Sequence, residues 1–256
     1  IYYSQILKDS KNNSNILQNN NHDDPVTLAD LKVNELIIQR IKQTYKNVNW
    51  AILSEENVKI DSTNFDLNSD WVWVLDPLDG TKDFIQGSGN YAMHLALNYK
   101  NKSYLGIVLI PEKDELWIST KEKVWCERKD KTKIMPSLLK NQSLQEMVIV
   151  TSKNHRSETL KNLIDKIGFK EILIMGSIGC KIASILRGES DIYICISLPG
   201  ESSPKDWDFA APAAILTAAG GAITNLENEE LSYGGSNFEQ RGVIVASNNV
   251  VAHERI

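Results

Sequence analysis

The feature that most constrains the fold is a short apolar run at residues 71–75, Trp-Val-Trp-Val-Leu, which leads into Asp-Pro-Leu-Asp-Gly-Thr at residues 76–81. Residues of these types favour extended backbone, and a run that is apolar at every position predicts a strand buried on both faces. Pro77 lacks an N–H and pushes Asp76 towards an extended conformation, so we expect the strand to end here. The chain must therefore supply a layer on each side of this strand and a polar turn at its end.

The predicted turn brings the carboxylates of Asp76 and Asp79 close together. Two like charges a few Å apart repel by ~1 kcal/mol in water and more strongly where they are partly buried, so either one is protonated or a cation lies between them. Mg²⁺ prefers oxygen ligands, and the carbonyl of Leu78 is a further candidate. Gly80 allows close approach of the backbone to a ligand, and Thr81 begins a predicted helix whose free N–H groups suit a phosphate. The alternative is an Asp-rich turn followed by an ordinary helix cap.

The overall composition is that of an ordinary globular protein, with 256 residues of which 42% are hydrophobic and 24% charged. This length suits one large domain or two tightly joined parts. A net charge of −5 disfavours nucleic-acid binding, and no apolar run approaches the ~20 residues of a membrane-spanning helix. Three scattered cysteines without metal-site spacing predict a reducing, cytoplasmic location. The chain begins Ile-Tyr-Tyr without an initiator Met, so we expect part of a first helix to be missing.

The N-terminal part is predicted to contain a polar loop followed by a helix. Residues 8–24 are crowded with Asn, Asp, Ser and Lys, and we expect a loop that lies over the site as a lid. Apolar residues then recur every fourth position from Val33 to Ile41, and Thr27 with Asp30 has the sequence of a capping box. Capping alone is therefore a sufficient structural explanation for Asp30.

Another predicted strand that ends at acidic residues lies earlier in the chain. Residues 50–53 predict a short strand that leads into Ser54, Glu55 and Glu56, and an isolated pair of acids at such a strand end is usually a solvated edge. After the turn, four extended stretches separated by short polar turns predict an antiparallel meander. These stretches are residues 91–99, 104–110, 115–119 and 123–126.

The second half of the chain alternates between strands and helices, which implies layered α/β packing. Asp208 falls in the first turn of a predicted helix, where the helix dipole favours an acid in any case. Residues 129–145 are polar, so we divide the chain into residues 1–140 and residues 141–256, two parts of one catalytic unit. The predicted strands are 147–151, 171–175, 191–196 and 241–246, and the predicted helices are 158–167, 179–186 and 208–219.

Taken together and in order, three acidic blocks resemble the inositol monophosphatase superfamily of Mg²⁺-dependent, lithium-sensitive phosphatases. The blocks are residues 54–56 (Ser-Glu-Glu), residues 76–81 and residues 207–211 (Trp-Asp-Phe-Ala-Ala). The resemblance extends from Pro25 to Gly221. It implies an α+β fold of the sugar-phosphatase type, a layered α/β/α/β/α sandwich with an N-terminal antiparallel sheet subdomain and a C-terminal α/β subdomain.

The resemblance also implies a set of metal ligands. Glu55, Asp76 and the carbonyl of Leu78 would hold one Mg²⁺, while Asp76, Asp79 and Asp208 would hold a second. In two-metal chemistry one ion lowers the pKa of water and the other stabilises the leaving oxygen of an in-line displacement. Two ions are therefore expected.

A third, weaker ion is implied next to Asp30. By the same resemblance, Thr81 would orient the attacking water, with Glu55 or Asp30 accepting its proton. Asp30, Glu55 and Thr81 are thus the predicted catalytic residues.

Three stretches are similar to the 3′(2′),5′-bisphosphate nucleotidase branch of the superfamily rather than to its inositol branch. They are residues 79–84 (Asp-Gly-Thr-Lys-Asp-Phe), residues 152–156 (Ser-Lys-Asn-His-Arg) and residues 176–181 (Gly-Ser-Ile-Gly-Cys-Lys). The last stretch resembles a phosphate cradle that would bind a second phosphate. The implied substrate-binding residues are Asp79, Gly80, Thr81, Lys82, His155, Ser177, Lys181 and Asp208.

Simpler explanations remain for two of these residues, since His155 is also explained as a solvated loop residue and Lys181 as a lysine that snorkels from its helix. Relatives usually carry a Lys shortly before the segment at Pro25, and this chain has Asn and Asp there, which leaves the role of the lid open.

The predicted function is hydrolysis of the 3′-phosphate of 3′-phosphoadenosine 5′-phosphate to AMP and phosphate. The predicted partner is this small phosphate ester, without nucleic acid or membrane, and the protein is expected to be a monomer or homodimer. An inositol- or sugar-phosphate phosphatase is the first alternative, although the strand at residues 192–196 lacks the acid that usually binds sugar hydroxyls. A catalytically silent homologue that senses nucleotide or metal is the second.

Overall fold

The computed structural model describes residues 16–17, 26–61, 69–138, 143–153 and 157–248. Within these ranges, helices and two large sheets alternate in five layers, and this confirms the predicted α/β/α/β/α sandwich. A two-stranded antiparallel pair, β1 (Ile16–Leu17) and β2 (Val26–Thr27), precedes them. No helix in the described ranges has both the length and the apolar character needed to cross a bilayer.

The first sheet has seven strands that follow one another in chain order. Its first two strands are parallel and the rest are antiparallel, so the predicted meander is confirmed and the sheet as a whole is mixed. The strands are β3 (Ala51–Ser54), β4 (Trp71–Asp79), β5 (Ala92–Tyr99), β6 (Lys102–Ile110), β7 (Glu115–Ser119), β8 (Val124–Glu127) and β9 (Lys133–Ile134).

The second sheet has five strands and combines parallel with antiparallel pairs. Its strands are β10 (Val148–Ser152), β11 (Glu171–Met175), β12 (Ile192–Ser197), β13 (Ala222–Asn225) and β14 (Gly242–Ser247), in the spatial order β11-β10-β12-β14-β13.

Helices cover both outer faces and fill the space between the sheets. The first helix packs Val33 and Ile41 against the outer face of β4, and the fourth packs Leu160 and Ile164 against the outer face of the second sheet. The last two helices lie between the sheets. The helices are α1 (Leu28–Thr44), α2 (Glu55–Ile60), α3 (Thr81–Gln86), α4 (Glu158–Ile167), α5 (Ile178–Leu186) and α6 (Asp206–Ala218).

Strand β4 is buried on both faces as predicted, but the prediction that it ends at Pro77 is wrong. The strand continues to Asp79, because its pairing with β5 contains a bulge: Asp76 pairs with His94 and Asp79 pairs with Ala92, so three steps on β4 match two on β5. A bulge tolerates Pro77, since the proline needs no ladder hydrogen bond there.

The bulge also determines which way the two acids face. In a regular strand, residues three apart lie on opposite faces, whereas the extra residue places Asp76 and Asp79 on the face that carries His94 and Ala92. This face is turned towards α5 and α6. The sheet therefore directs both carboxylates into the middle layer.

The other predicted elements are found with ends that differ by at most two residues. The capping box of α1 is confirmed, since Thr27 and Asp30 cap each other's backbone. Helix α2, which begins at Glu55, and strands β1, β2 and β9 were not predicted. Strand β1 falls inside the loop predicted at residues 8–24, and the rest of that loop lies outside the described residues. The predicted division near residue 140 falls outside the described ranges and stays a prediction.

The contact between β6 and α6 depends on Gly106. A Cβ atom at this position would lie 2.6 Å from the carbonyl oxygen of Ala211 and 2.7 Å from the Cβ of Ala214. We expect Gly106→Ala to lower the free energy of unfolding by ~1–3 kcal/mol, because the packed helix must shift. Urea unfolding measures this change. Gly235→Ala is the control, since a Cβ there would meet no atom of the described residues within 4 Å and the backbone has an ordinary negative φ.

Candidate active site

Three carboxylates meet at the bulge of β4. Ligand oxygens of Asp76, Asp79 and Asp208 lie within 4.8 Å of one another. Two of the acids come from β4 and the third from the first turn of α6, where its Oδ2 accepts a hydrogen bond of 2.5 Å from the Lys205 backbone N–H. The sequence prediction that these acids converge is confirmed in the described part of the chain.

Burial and neighbouring negative charges disfavour the charged forms of Asp76 and Glu55. Asp76 is buried, and its pKa is raised by desolvation first and then by the charges of Glu55, Asp79 and Asp208. Desolvation likewise raises the pKa of Glu55 to about 8, although Lys59, 3.0 Å away, opposes the shift. A hard divalent cation relieves this repulsion, so the donor set fits such an ion.

Thr81 and Asp30 form a hydroxyl and carboxylate pair next to the cluster. The Thr81 hydroxyl lies 3.0 Å from the carbonyl of Leu78 and 3.3 Å from Asp30 Oδ1. The other oxygen of Asp30 accepts hydrogen bonds from the backbone N–H and hydroxyl of Thr27. Of the two acids considered as the partner of Thr81, Asp30 is therefore the one in contact, and it also caps α1. Burial raises its pKa.

Gly80 connects the bulge to helix α3. Its φ is +88°, and a Cβ would lie 2.9 Å from the carbonyl of Asn90, so glycine is required by conformation and by space. Lys82 lies in the first turn of α3 and is partly exposed. Thr81, as the first residue of the helix, is in the predicted position.

Ser177 caps α5 and contacts the acid cluster. Its hydroxyl donates to Asp79 Oδ2 at 2.6 Å, and the same oxygen accepts the Gly179 N–H at 3.2 Å. The start of α5 is therefore turned towards Asp79, and its binding of a phosphate stays a prediction. The Cys180 N–H completes the cap by donating to Ser177 Oγ.

Lys181 is buried, with 1% of its surface exposed. Its Nζ donates to the Gly176 carbonyl at 2.5 Å and lies 5.1 Å from the centre of the Tyr193 ring. The alternative that this lysine snorkels to solvent is wrong, because the ammonium ends inside the protein. Burial lowers its pKa, and the charge of Asp79 opposes that shift. His155 lies outside the described residues.

The sequence interpretation missed His94, which lies on β5 opposite Asp76. The ring is 1% exposed, with Nε2 3.2 Å from Asp79 Oδ2 and Nδ1 3.3 Å from the carbonyl of Trp207. Burial lowers its pKa, while the neighbouring Asp79 opposes the change. The signal for His94 in the sequence is that a titratable residue stands inside an apolar strand. This signal does not identify what the histidine contacts unless the pairing of the neighbouring strand is known.

Comparison with known proteins gives a consistent result. Residues 2–256 match the inositol monophosphatase family. The 3′(2′),5′-bisphosphate nucleotidase CysQ of Buchnera aphidicola is 31% identical over 211 residues, which cover 82% of this chain and 74% of that protein.

Two solved structures have the same fold. The Thermotoga maritima IMPase has a TM-score of 0.76 at 22% identity, and the match covers 99% of this chain and 90% of that one. A dual specific IMPase/NADP phosphatase bound with D-inositol-1-phosphate has a TM-score of 0.75 at 20% identity, with 98% and 88% covered.

Proposed function

Because the chain belongs to the inositol monophosphatase family, we propose that it is a Mg²⁺-dependent phosphatase that removes the 3′-phosphate of 3′-phosphoadenosine 5′-phosphate. The single observation that carries the phosphatase assignment is the convergence of Asp76, Asp79 and Asp208 at the bulge of β4. The nucleotide assignment is supported by the likeness to a bisphosphate nucleotidase and by the sequence of residues 79–84.

In this proposal the three clustered acids, Glu55 and the carbonyl of Leu78 hold two Mg²⁺ ions. When bound, Mg²⁺ supplies Lewis-acid chemistry, since it neutralises phosphate charge and lowers the pKa of water. The protein's own part is to keep the carboxylates together against their repulsion. The bulge of β4 and the first turn of α6 do this, because both are fixed by backbone hydrogen bonds.

Thr81 is proposed to orient the attacking water. A hydroxyl has one proton and two lone pairs, so when Thr81 donates to Asp30 its lone pairs remain to accept a hydrogen bond from water. Asp30 is held by Thr27 on its other oxygen and cannot turn away without losing the cap of α1. The pair therefore holds a proton acceptor at a defined point beside the cluster.

One assay tests the proposed function. Phosphate release is measured with Mg²⁺ on 3′-phosphoadenosine 5′-phosphate, inositol 1-phosphate and fructose 1,6-bisphosphate. The proposal expects the highest kcat/KM with the bisphosphate nucleotide. Release from none of the three, with nucleotide still bound in a calorimeter, would instead identify a catalytically silent homologue.

Inositol- or sugar-phosphate hydrolysis is the second candidate function. It is favoured by the solved structures of the same fold, one of which was determined with D-inositol-1-phosphate bound. A higher kcat/KM for inositol 1-phosphate than for the nucleotide would establish it.

We expect Lys181→Met to reduce the difference in kcat/KM between the bisphosphate nucleotide and inositol 1-phosphate. The methionine keeps most of the buried volume but removes the ammonium, which we propose interacts with the second phosphate through charge-assisted hydrogen bonds. The kcat/KM for 3′-phosphoadenosine 5′-phosphate should fall roughly 10- to 150-fold, equivalent to about 1.5–3 kcal/mol, and the value for inositol 1-phosphate should change far less.

The matched control is Lys166→Met, at an exposed position on α4, which should leave both substrates unchanged. An equal loss on both substrates for Lys181→Met would assign the lysine to the structure of the loop around Gly176, whose carbonyl it binds.

A further inference from the structure

His94 occupies a point where three elements of the site meet. Its strand β5 is hydrogen-bonded to the bulged strand β4, and its two ring nitrogens face oxygens from different parts of the chain. Nε2 lies 3.2 Å from Asp79 Oδ2, and Nδ1 lies 3.3 Å from the carbonyl of Trp207, the residue before Asp208. The ring therefore lies between two of the three clustered acids. Nε2 faces Asp79 Oδ2 without hydrogen-bond geometry in the described residues, and the one proton of a neutral imidazole can be donated either to this oxygen or to the Trp207 carbonyl.

The oxygen of Asp79 that faces His94 has two further neighbours. Ser177 Oγ donates to it at 2.6 Å, and the Gly179 N–H donates at 3.2 Å. These groups come from the start of α5, whereas His94 comes from the first sheet. One oxygen of the Asp79 carboxylate is therefore in contact with groups from two layers of the fold. Rotation of the carboxylate about χ2 would break several of these contacts. Its orientation is therefore determined before any ligand binds.

The position of the ring depends on the absence of a side chain at Gly179. A Cβ there would lie 2.2 Å from His94 Nε2 and 2.9 Å from Val108 Cγ1. A real Cβ atom cannot approach so closely, so any residue larger than glycine would displace the imidazole. Gly179 has no positive φ in this structure, and space is the only requirement that its neighbours impose.

We propose that His94 is a positioning residue, whose Nε2 side holds the Asp79 carboxylate in its metal-binding orientation. The proposal rests on the proposed metal binding. When a residue that contacts a metal-ligating side chain, but not the metal itself, is removed, metal affinity usually falls by roughly 10- to 100-fold. His94 contacts Asp79 in the same way, although it touches neither the proposed water nor the Thr81 pair.

Three substitutions at His94 separate its two contacts. His94→Leu keeps a similar volume and removes both. His94→Gln extends an amide N–H to the former Nε2 position and keeps the contact with Asp79, and His94→Asn reaches only as far as Nδ1 and keeps the contact with the Trp207 carbonyl. Each purified variant is titrated with Mg²⁺ and with Mn²⁺ by calorimetry, without substrate.

We expect Leu and Asn to weaken binding of both ions by roughly 10- to 100-fold and Gln to restore most of the loss. At saturating Mg²⁺, kcat should stay within several-fold of the unmodified protein, since no ligand has been removed. Unchanged metal binding in His94→Leu would overturn the proposal. Equal weakening of metal binding in His94→Leu and His94→Gln would also overturn it, because the ring would then only fill space.

Gly179→Ala provides a second test that changes the chemistry of neither His94 nor Asp79. As a single substitution, Gly179→Ala should weaken metal binding. Added to His94→Ala it should have little further effect, because no imidazole ring is left for the new Cβ to displace. Additive effects would contradict the proposal, and melting temperatures of all variants show whether the fold is intact. If the unmodified protein itself binds neither ion, the proposed metal-dependent function fails, which is a different result from the failure of His94.

Discussion

Asp76→Asn is expected to abolish turnover at ordinary Mg²⁺ concentrations and to leave the fold nearly unchanged. Asp76 is the side chain proposed to contact both ions, so the amide removes charge from both positions at once. The local structure should persist, because the Leu78 N–H donates to Asp76 Oδ1 at 3.0 Å and an Asn oxygen accepts the same bond. Melting temperature without metal should be equal or higher, since one of the repelling charges is gone.

The measurements are phosphate release over a wide range of Mg²⁺ and metal titration by calorimetry. Asp83→Asn is a matched control, because Asp83 is also buried and follows the same motif but contacts Ser88 instead of the cluster. It should keep most of the activity. Full kcat in purified Asp76→Asn would refute the shared-metal assignment.

Thr81→Ala should reduce kcat by roughly 10²-fold or more, the usual consequence of losing a partner in proton transfer. The hydroxyl is not a proposed metal ligand, so Mg²⁺ affinity should hardly change. The substitution removes the hydroxyl contacts of 3.0 Å with the Leu78 carbonyl and 3.3 Å with Asp30 Oδ1, and with them the group proposed to orient the water.

Thr81→Ser is the control, since it keeps the hydroxyl and should retain activity within several-fold. The two variants are compared by steady-state kinetics at saturating Mg²⁺ and by calorimetry. A large loss of Mg²⁺ affinity with normal kcat at saturating metal would make Thr81 a structural residue of the turn.

The acids were singled out because their three sequence blocks, taken together and in order, resemble a known family, whereas each acid alone has an ordinary structural explanation. In the sequence, Asp76 and Asp79 come after one apolar run, Glu55 comes after another, and Asp208 lies in the first turn of a helix. Such features depend on residues a few positions apart, and the layered fold follows from the same local patterns.

The bulge of β4 could not be predicted in this way. Pro77 is a sound reason for a strand to end, and only the pairing with β5 shows that the strand continues and turns Asp79 to the face of Asp76. His94 and the burial of Lys181 were missed for a related reason, since both depend on elements that lie far away in the sequence. Contacts between layers leave no periodic pattern in the chain.

Helix α6 lies between the two sheets and carries Asp208, while the strand with the other two clustered acids belongs to the first sheet. During synthesis the residues of the first sheet, with Asp76 and Asp79, leave the ribosome well before this helix brings Asp208. Contacts of such large sequence separation form late and slow down folding. The repulsion among the carboxylates then opposes mainly the late step in which α6 packs between the two sheets. Ionic strength and divalent cations should influence the rate of that step more than the formation of either sheet.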